Sequence, residues 1–525
     1  MSRQPLSAKL LLIFLLSFAL FLFLRLWNLE QAAYFIYDQG RDALKWAEIA
    51  QGELTLVGPT SGLAGFFIGP FWYYVGLPGF LLSGGHPLGV QVWYILLSAL
   101  AFPGFWWLCG KLFWKDPSES RSLHRILMGV VCLIGLIALP ASITNSTTIW
   151  NPLIGAPLMM GALFSFWKLR QDEQRKDIWL ALGFLCTALT LQSEFAYAVF
   201  FLAPLFLVIP WMTQRRRMLD FIIAGGTVAL TLLPQVLFEL RNQFIMTRSL
   251  FGSLTDTSRS VSWAQQLQTR PMQLVDTTVD FFTGPDQNTW LVRSIVIGLL
   301  SLGMYSVYLF WRKNKYEKDT THQLYLQQLL LFFALIPYPF FLIWRGNEGN
   351  FFWYYLTSHF IFIVPLAILG LSFATKKLWS LEPWGTRTAG VLIVALLLPF
   401  LTASIRHWND SIGHPINETG YAMMLSGVRS AYSMQAAENT ATMIITPNIH
   451  SQHYDYLFQW YGKKESYQIP RTVVQPEDTQ LIVVTEMWGP TFSDYVKARH
   501  KELTTGWRRA RTVINGKVIV QEWVR

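Results

Sequence analysis

Long apolar runs separated by short polar, often basic, segments dominate the chain. A run of about 17–25 residues is the length that crosses a bilayer core as one helix. Eleven helical spans are predicted, near 10–24, 88–110, 125–143, 152–169, 178–193, 195–212, 218–238, 290–311, 324–344, 352–374 and 386–404. The first follows Arg3 and Lys9, and its flank Arg25-Leu26-Trp27-Asn28-Leu29-Glu30 has no small-x-small cleavage site. It therefore reads as an uncleaved first helix and not as a removed signal peptide.

Segment 66–82 is equally apolar but is broken by Pro70, Pro78, Gly69, Gly76 and Gly79. The positive-inside rule decides its status. If it does not span, one membrane face receives Lys111/Lys115/Arg121/Arg125, Lys168/Arg170/Arg175/Lys176, Arg215/Arg216/Arg217, Arg312/Lys313/Lys315/Lys318 and Lys376/Lys377/Arg387. The opposite short loops, 141–151, 193–195 and 345–351, then carry one basic residue, Arg345. Segment 66–82 is accordingly expected to be interfacial or re-entrant. The N-terminus is then cytoplasmic in an inner-membrane protein, and 27–87, 239–289 and everything beyond 405 lie outside.

The tail changes pattern. Gly420–Ala437 reads as an amphipathic helix, and Thr442–Thr446 and Leu481–Thr485 as short buried strands. Val513–Val520, around Asn515-Gly516, reads as a hairpin with a type I′ turn. The expected fold class is an all-α polytopic membrane protein with about eleven spans and a large first outer loop. It divides into a membrane domain, 1–404, and a small extracytoplasmic α/β domain, 405–525.

Composition narrows the function. Charged residues make up 14% of the chain, against about 25% in soluble proteins. The net charge of +10 sits beside the spans, where it sets topology, so nucleic acid is not an expected partner. Cys109, Cys132 and Cys186 lie inside apolar runs without metal-ligand or disulfide spacing. Ionisable residues are almost absent from mid-span; Asp220, Glu239 and Arg293 fall near helix ends. That argues against an ion-coupled carrier, and the lack of an internal repeat argues against a transporter built from inverted halves.

Polar chemistry concentrates in the first outer loop, at Tyr37-Asp38-Gln39-Gly40-Arg41-Asp42-Ala43-Leu44-Lys45. On a helix, Asp38, Arg41, Asp42 and Lys45 share one face. Carboxylates beside cations at a membrane surface suit a reaction with an acidic leaving group. Equally, Asp38 can be an N-cap and the rest solvated ion pairs. Gly58-Pro59-Thr60-Ser61-Gly62 and Gly69-Pro70-Phe71-Trp72-Tyr73-Tyr74 suit a hairpin at headgroup depth, whose aromatic faces fit a sugar ring or an isoprenoid chain, or simply an interfacial belt. Asn151 in Trp150-Asn151-Pro152, Glu194, and Glu239 and Arg241 in Phe238-Glu239-Leu240-Arg241-Asn242 end helices around the same surface. Arg241 has the planar fork for a phosphate, and also the length to snorkel to headgroups. Phe351–Tyr355 and His359 open the tenth helix on this side.

These motifs, with Tyr454-Asp455-Tyr456-Leu457-Phe458-Gln459-Trp460-Tyr461, resemble the GT-C glycosyltransferase superfamily. The resemblance runs to its bacterial branch related to protein O-mannosyltransferases (glycosyltransferase family 39) and the aminoarabinose transferase of lipid A. It implies inverting transfer of a sugar from a polyprenyl-phosphate donor, with Asp38 as general base. On that reading Arg41, Lys45 and Arg241 hold the donor phosphate, and Tyr37, Asp42, Tyr73, Tyr74, Asn151, Glu194 and Glu239 line the substrate. Membrane lipid is the other expected partner. The acceptor, whether protein, lipid or glycan, stays open. No cofactor is expected, though a divalent metal stays open, because Gln39 replaces the second member of the family's Asp-Glu pair and loop 141–151 has no acid. No DxD motif occurs in the outer loops, consistent with a lipid donor over a nucleotide-sugar. The competing classes are a lipid or glycan flippase, which would need a polar groove through mid-membrane, and a polysaccharide ligase or polymerase, which would need one very large loop between late helices.

Overall fold

The computed structural model describes residues 8–114, 122–215, 217–255, 260–285, 289–314, 321–345, 349–379, 384–415, 420–435, 439–447, 450–487 and 493–525. Lys115, Arg121, Arg216, Lys315 and Lys318 of the basic clusters, Arg3, and the Ala437 end of the expected tail helix lie outside the described residues. Each of the eleven apolar segments is helical. Among the described residues, six helices are individually long and apolar enough to cross a membrane, including Pro87–Phe113, Phe195–Thr213 and Trp384–Gly413. Three further pairs are bent at short breaks. One of them, Asn151–Lys168 with Glu173–Ser193, turns by 118°, so it folds back as a helical hairpin. The protein is an integral membrane protein with a small mixed sheet in its tail.

Segment 66–82 splits into two pieces. Residues 58–68 form a tight loop closed by the Thr60–Phe67 bridge and the Gly58 N–H to Ile68 O bond of 2.8 Å. Phe71–Leu82 is a helix of 12 residues, about 18 Å long and too short for a hydrocarbon core of about 30 Å.

The first helix is fixed at its end by a buried arginine. Arg25 donates to Phe21 O and Ile137 O (3.0 Å each), to Ser142 O and Oγ, and to Ser146 Oγ. A fully buried guanidinium with this many acceptors costs far less than a bare one, and it ties the first helix to Pro140–Thr147.

The tail sheet comprises β1 (Thr440–Ile445), β2 (Gln480–Glu486), β3 (Arg508–Asn515) and β4 (Val518–Val524) in the order β1-β2-β4-β3. β1 and β2 are parallel, crossed by the Gln452–Glu465 helix; the other pairings are antiparallel. The hairpin differs from expectation in its turn. Asn515 pairs with Val518, so the loop is Gly516-Lys517, and only Gly516 has positive φ, +59°. A type I′ turn needs positive φ at both loop positions; glycine at the first alone fits type II′.

The tail and the 27–87 loop share one apolar core, in which Ala33, Phe35, Trp46 and Trp72 meet Tyr421, Leu425, Tyr454 and Leu457. Tyr421 N–H donates to Ala33 O at 3.0 Å, and the Tyr456 hydroxyl donates to Gly85 O. Closest approach is at Gly40, where a Cβ would lie 2.2 Å from the His453 backbone nitrogen. Only glycine fits, because the obstacle is main chain. Gly40→Ala should therefore push the Gln452–Glu465 helix off Tyr37–Ala50 and cost at least about 1–3 kcal/mol. Limited proteolysis of the purified protein should cut the tail of Gly40→Ala well before that of wild type; identical digestion rates would refute this packing.

Candidate functional site

The Tyr37–Ala50 helix begins after Ile36, whose extended backbone ends the preceding segment; the Ile36 N–H donates to the Gln39 Oε1 at 2.9 Å. Asp38 is thus the second residue of the helix and not its N-cap, which removes the capping alternative. A carboxylate in the first turn still gains from the helix dipole.

Asp42, one turn on, is fully buried. Its Oδ2 accepts from Trp72 Nε1 at 2.7 Å, and its Oδ1 from Arg41 Nε and Nη2 at 2.9 and 2.8 Å. The remaining arm of Arg41, Nη1, meets Asp38 Oδ1 at 2.7 Å. One guanidinium therefore joins both aspartates, and the trio carries a net negative charge. Burial raises the Asp38 pKa above the ordinary carboxylate range; Arg41 and the Tyr37 hydroxyl oppose but do not cancel it. Asp42 is raised by the same cause, against Arg41 and Trp72.

Asp38 faces a cavity of about 770 Å³. Its walls come from Tyr34–Gln39, from 140–150 ending at Trp150, from Thr277–Pro285, from Trp353 and Thr357, and from His407–Ser411. On the other side of Asp38, the tail contributes His450, whose ring stacks on Tyr37 at 5.4 Å. A separate open groove of about 490 Å³, between Phe71–Leu82, Lys176–Ser193 and Met218–Thr231, is lined mainly by apolar groups including Leu185, Leu189 and Leu230.

The expected site residues divide into three groups. Asp38, Arg41, Asp42 and Tyr37 come together, with Tyr73 buried against them; burial raises the Tyr73 pKa, and Asp42 adds to the shift. Asn151 and Glu194 form a neighbouring unit. Asn151 Nδ2 donates to Ser193 O at 2.7 Å, and Glu194 caps the Phe195–Thr213 helix by accepting from Ala196 N–H at 3.1 Å. The other residues point elsewhere. Lys45 pairs with Glu48. The Tyr74 hydroxyl donates to Thr55 O at 2.8 Å on the exposed edge. Glu239 accepts from the Met246 and Thr247 N–H groups at 2.8 Å and so holds the start of Ile245–Thr255. Arg241 is exposed, outside the cavity wall, with no side-chain partner among the described residues.

One residue of interest was not visible in the sequence. Arg270 lies in 239–289, read there as a loop, but the structure makes Trp263–Thr283 a helix. Arg270 is 0% exposed, and its Nε and Nη1 have no hydrogen-bond partner among the described residues. Its Nη2 reaches only Trp344 O at 3.5 Å, and the guanidinium stands 5.1 Å from the Phe351 ring centre. Tyr355 is an electrostatic neighbour of Arg270, and Tyr355 also feels Glu194. A buried guanidinium with two donors unpartnered among the described residues is a candidate anion contact. The signal available in sequence was the helical spacing of the apolar residues Leu267, Leu274 and Phe281 around it.

The fold has solved counterparts. ArnT from Cupriavidus metallidurans, in the apo state, superimposes with a TM-score of 0.58 at 12% identity, covering 98% of each chain. The same protein bound to undecaprenyl phosphate gives 0.57 at 12% identity and the same coverage. The oligosaccharyltransferase of Archaeoglobus fulgidus in the apo form gives 0.51 at 12% identity, covering 86% of this chain and 64% of that one. The chain matches no protein-family model and no curated protein sequence. The GT-C type of fold, with its membrane helices and small tail sheet, is thus established at the level of architecture.

Burial pushes the Glu194 carboxyl up to about 8. A raised acid binds its proton more tightly folded than unfolded, so this stabilisation is complete below about pH 4.5 and is lost as pH rises through about 8. Glu194→Gln keeps an oxygen for the Ala196 N–H and cannot ionise. The melting temperature of wild type should fall between pH 7 and pH 9 more steeply than that of Glu194→Gln; parallel curves would contradict the burial argument.

Proposed function

We propose that the chain is an inverting glycosyltransferase that moves a sugar from a polyprenyl-phosphate donor to an acceptor hydroxyl or amine at the outer membrane surface. The observation that carries this reading is Asp38. It is a partly buried carboxylate with a raised pKa, clamped by Arg41 and facing a cavity large enough for a small-molecule substrate. The undecaprenyl phosphate bound by the structurally similar ArnT supports the lipid phosphate as donor. Within the fold, the Tyr37–Ala43 motif favours the bacterial branch near protein O-mannosyltransferases and the aminoarabinose transferase. We read 1–404 as the membrane transferase domain and 405–525 as a domain docked on its outer face, with a cytoplasmic N-terminus and an inner-membrane location.

In this mechanism Asp38 takes the proton of the acceptor as its oxygen or nitrogen attacks the anomeric carbon. The bond from that carbon to the phosphate oxygen breaks with its electron pair, and polyprenyl phosphate leaves as an anion. Arg270 answers that charge. Arg41 is already committed to two carboxylates and Lys45 to Glu48, so Arg41 serves chiefly to aim Asp38. Arg241 meets lipid headgroups at the surface. Arg270 is no more part of the cavity lining than Arg241, but it is desolvated, has two donors unpartnered among the described residues, and sits on the Trp263–Thr283 helix whose Thr277 and Asp280 do line the cavity, so it is the phosphate ligand we favour.

Asp38→Asn keeps the shape and removes the base, and should lower turnover at least about a hundredfold. Its stability should change by no more than about 1 kcal/mol, the worth of a partly exposed ion pair. Full activity in a stable Asp38→Asn protein ends the claim. The acid limb of the wild-type rate profile should lie above the usual carboxylate range, because the base works deprotonated and its pKa is raised. Arg270→Lys keeps the charge but loses the fork, and should weaken undecaprenyl phosphate binding about tenfold or more. Arg241→Ala should leave that binding nearly unchanged, and the reverse ranking would move the phosphate site to Arg241.

A further inference from the structure

The other residues lining the Asp38 cavity have no part in the proton transfer or in holding phosphate, and their composition is distinctive. Two indoles, Trp150 and Trp353, stand 6.2 Å apart at 51°, and Trp353 is 47% exposed. In the same cavity, the Trp384–Trp408 helix ends in a π-helical turn, Asn409–Gly413, which contributes Asp410 beside His407. Such widened turns commonly re-aim side chains at functional sites. His407 Nε2 is held by Thr144 Oγ1 at 3.0 Å, and its Nδ1 lies 3.4 Å from where a Cβ on Gly284 would stand. Asp280 completes the wall.

Among the described residues lining this cavity there is no lysine and no arginine, in a chain whose net charge is +10. Three carboxylates, Asp38, Asp280 and Asp410, face it instead. Flat aromatic faces suit the C–H face of a pyranose. Carboxylate, imidazole and threonine groups suit its hydroxyls. A phosphate or carboxylate on the ligand would meet like charge there, and Arg41 beside Asp38 is already shared between Asp38 and Asp42.

We infer that this cavity is the acceptor subsite and that the acceptor it takes is a neutral polyhydroxylated group, a sugar residue at the end of a glycan, stacked on Trp353 and hydrogen-bonded by Asp410 and His407. The inference rests on the reading of Asp38 as the base, since it puts the acceptor hydroxyl beside that carboxylate. It excludes acceptors that present phosphate at the reacting end.

Saturation-transfer NMR on the purified full chain tests it. The probes are glucose, galactose, N-acetylglucosamine and their β-linked dimers, each beside the matching sugar 6-phosphate. At least one neutral sugar should bind while its phosphate does not. Trp353→Ala should weaken that binding by about three- to tenfold, Asp410→Asn should also weaken it, and Trp353→Phe, which keeps a stacking face, should largely restore it. Binding of the 6-phosphates as strong as that of the neutral sugars, no neutral sugar bound at all, or equal binding by wild type and Trp353→Ala each overturn the inference. Undecaprenyl phosphate binding on the same preparations separates the two levels. If it persists while the sugars fail, only the acceptor subsite falls; if wild type binds neither, the glycosyltransferase reading falls with it.

Discussion

A single guanidinium organises the site. Asp42 is completely buried, and an isolated buried carboxylate would be strongly destabilising. It is tolerated because Arg41 and the Trp72 indole satisfy it. That pairing pins the Tyr37–Ala50 helix to Phe71–Leu82, and the arm of Arg41 left over fixes Asp38 at the cavity edge. The same arrangement explains why Asp38 is raised only in part: burial acts on it, but a shared cation stands beside it.

The second constraint is the core shared by the first loop and the tail. Neither piece covers its own apolar surface. Trp46 and Trp72 on one side and Tyr421, Tyr454 and Leu457 on the other close a common interior. Gly40 lets two helix backbones approach where any side chain would separate them. The docked tail therefore supplies His450 to the surroundings of Asp38, and the end of the Trp384–Gly413 helix supplies Asp410 and Ser411, although about 370 residues of sequence or more lie between them and Asp38. In energetic terms, the geometry around Asp38 is as stable as that docking is.

Much of this was legible in the sequence, for physical reasons. Span length and charge clustering are properties of consecutive residues, so the eleven apolar segments that prove helical could be read directly, and the Gly and Pro residues of 66–82 marked that stretch as unlike them. Asp38 stood out because polar groups are scarce in so apolar a chain. Partnerships set by folding could not be read. Lys45 shares a helical face with Arg41 in principle but is drawn to Glu48. Glu239 looked like a site carboxylate and instead holds the N–H groups of the next helix. Arg270 was hidden because its segment is amphipathic and polar enough to pass for a loop, and the lack of partners for two of its donors among the described residues is a product of folding. The hairpin was located correctly, yet its register put glycine at the first loop position and changed the turn type.

The account stands or falls on the donor. Purified full-length protein in lipid nanodiscs can be given one radiolabelled sugar in two forms, linked to polyprenyl phosphate or to a nucleotide, and the release of label from each followed. A site built from a desolvated arginine and a base at the membrane surface predicts consumption of the lipid-linked sugar alone, with inversion at the anomeric carbon. Consumption of the nucleotide-sugar alone would contradict it.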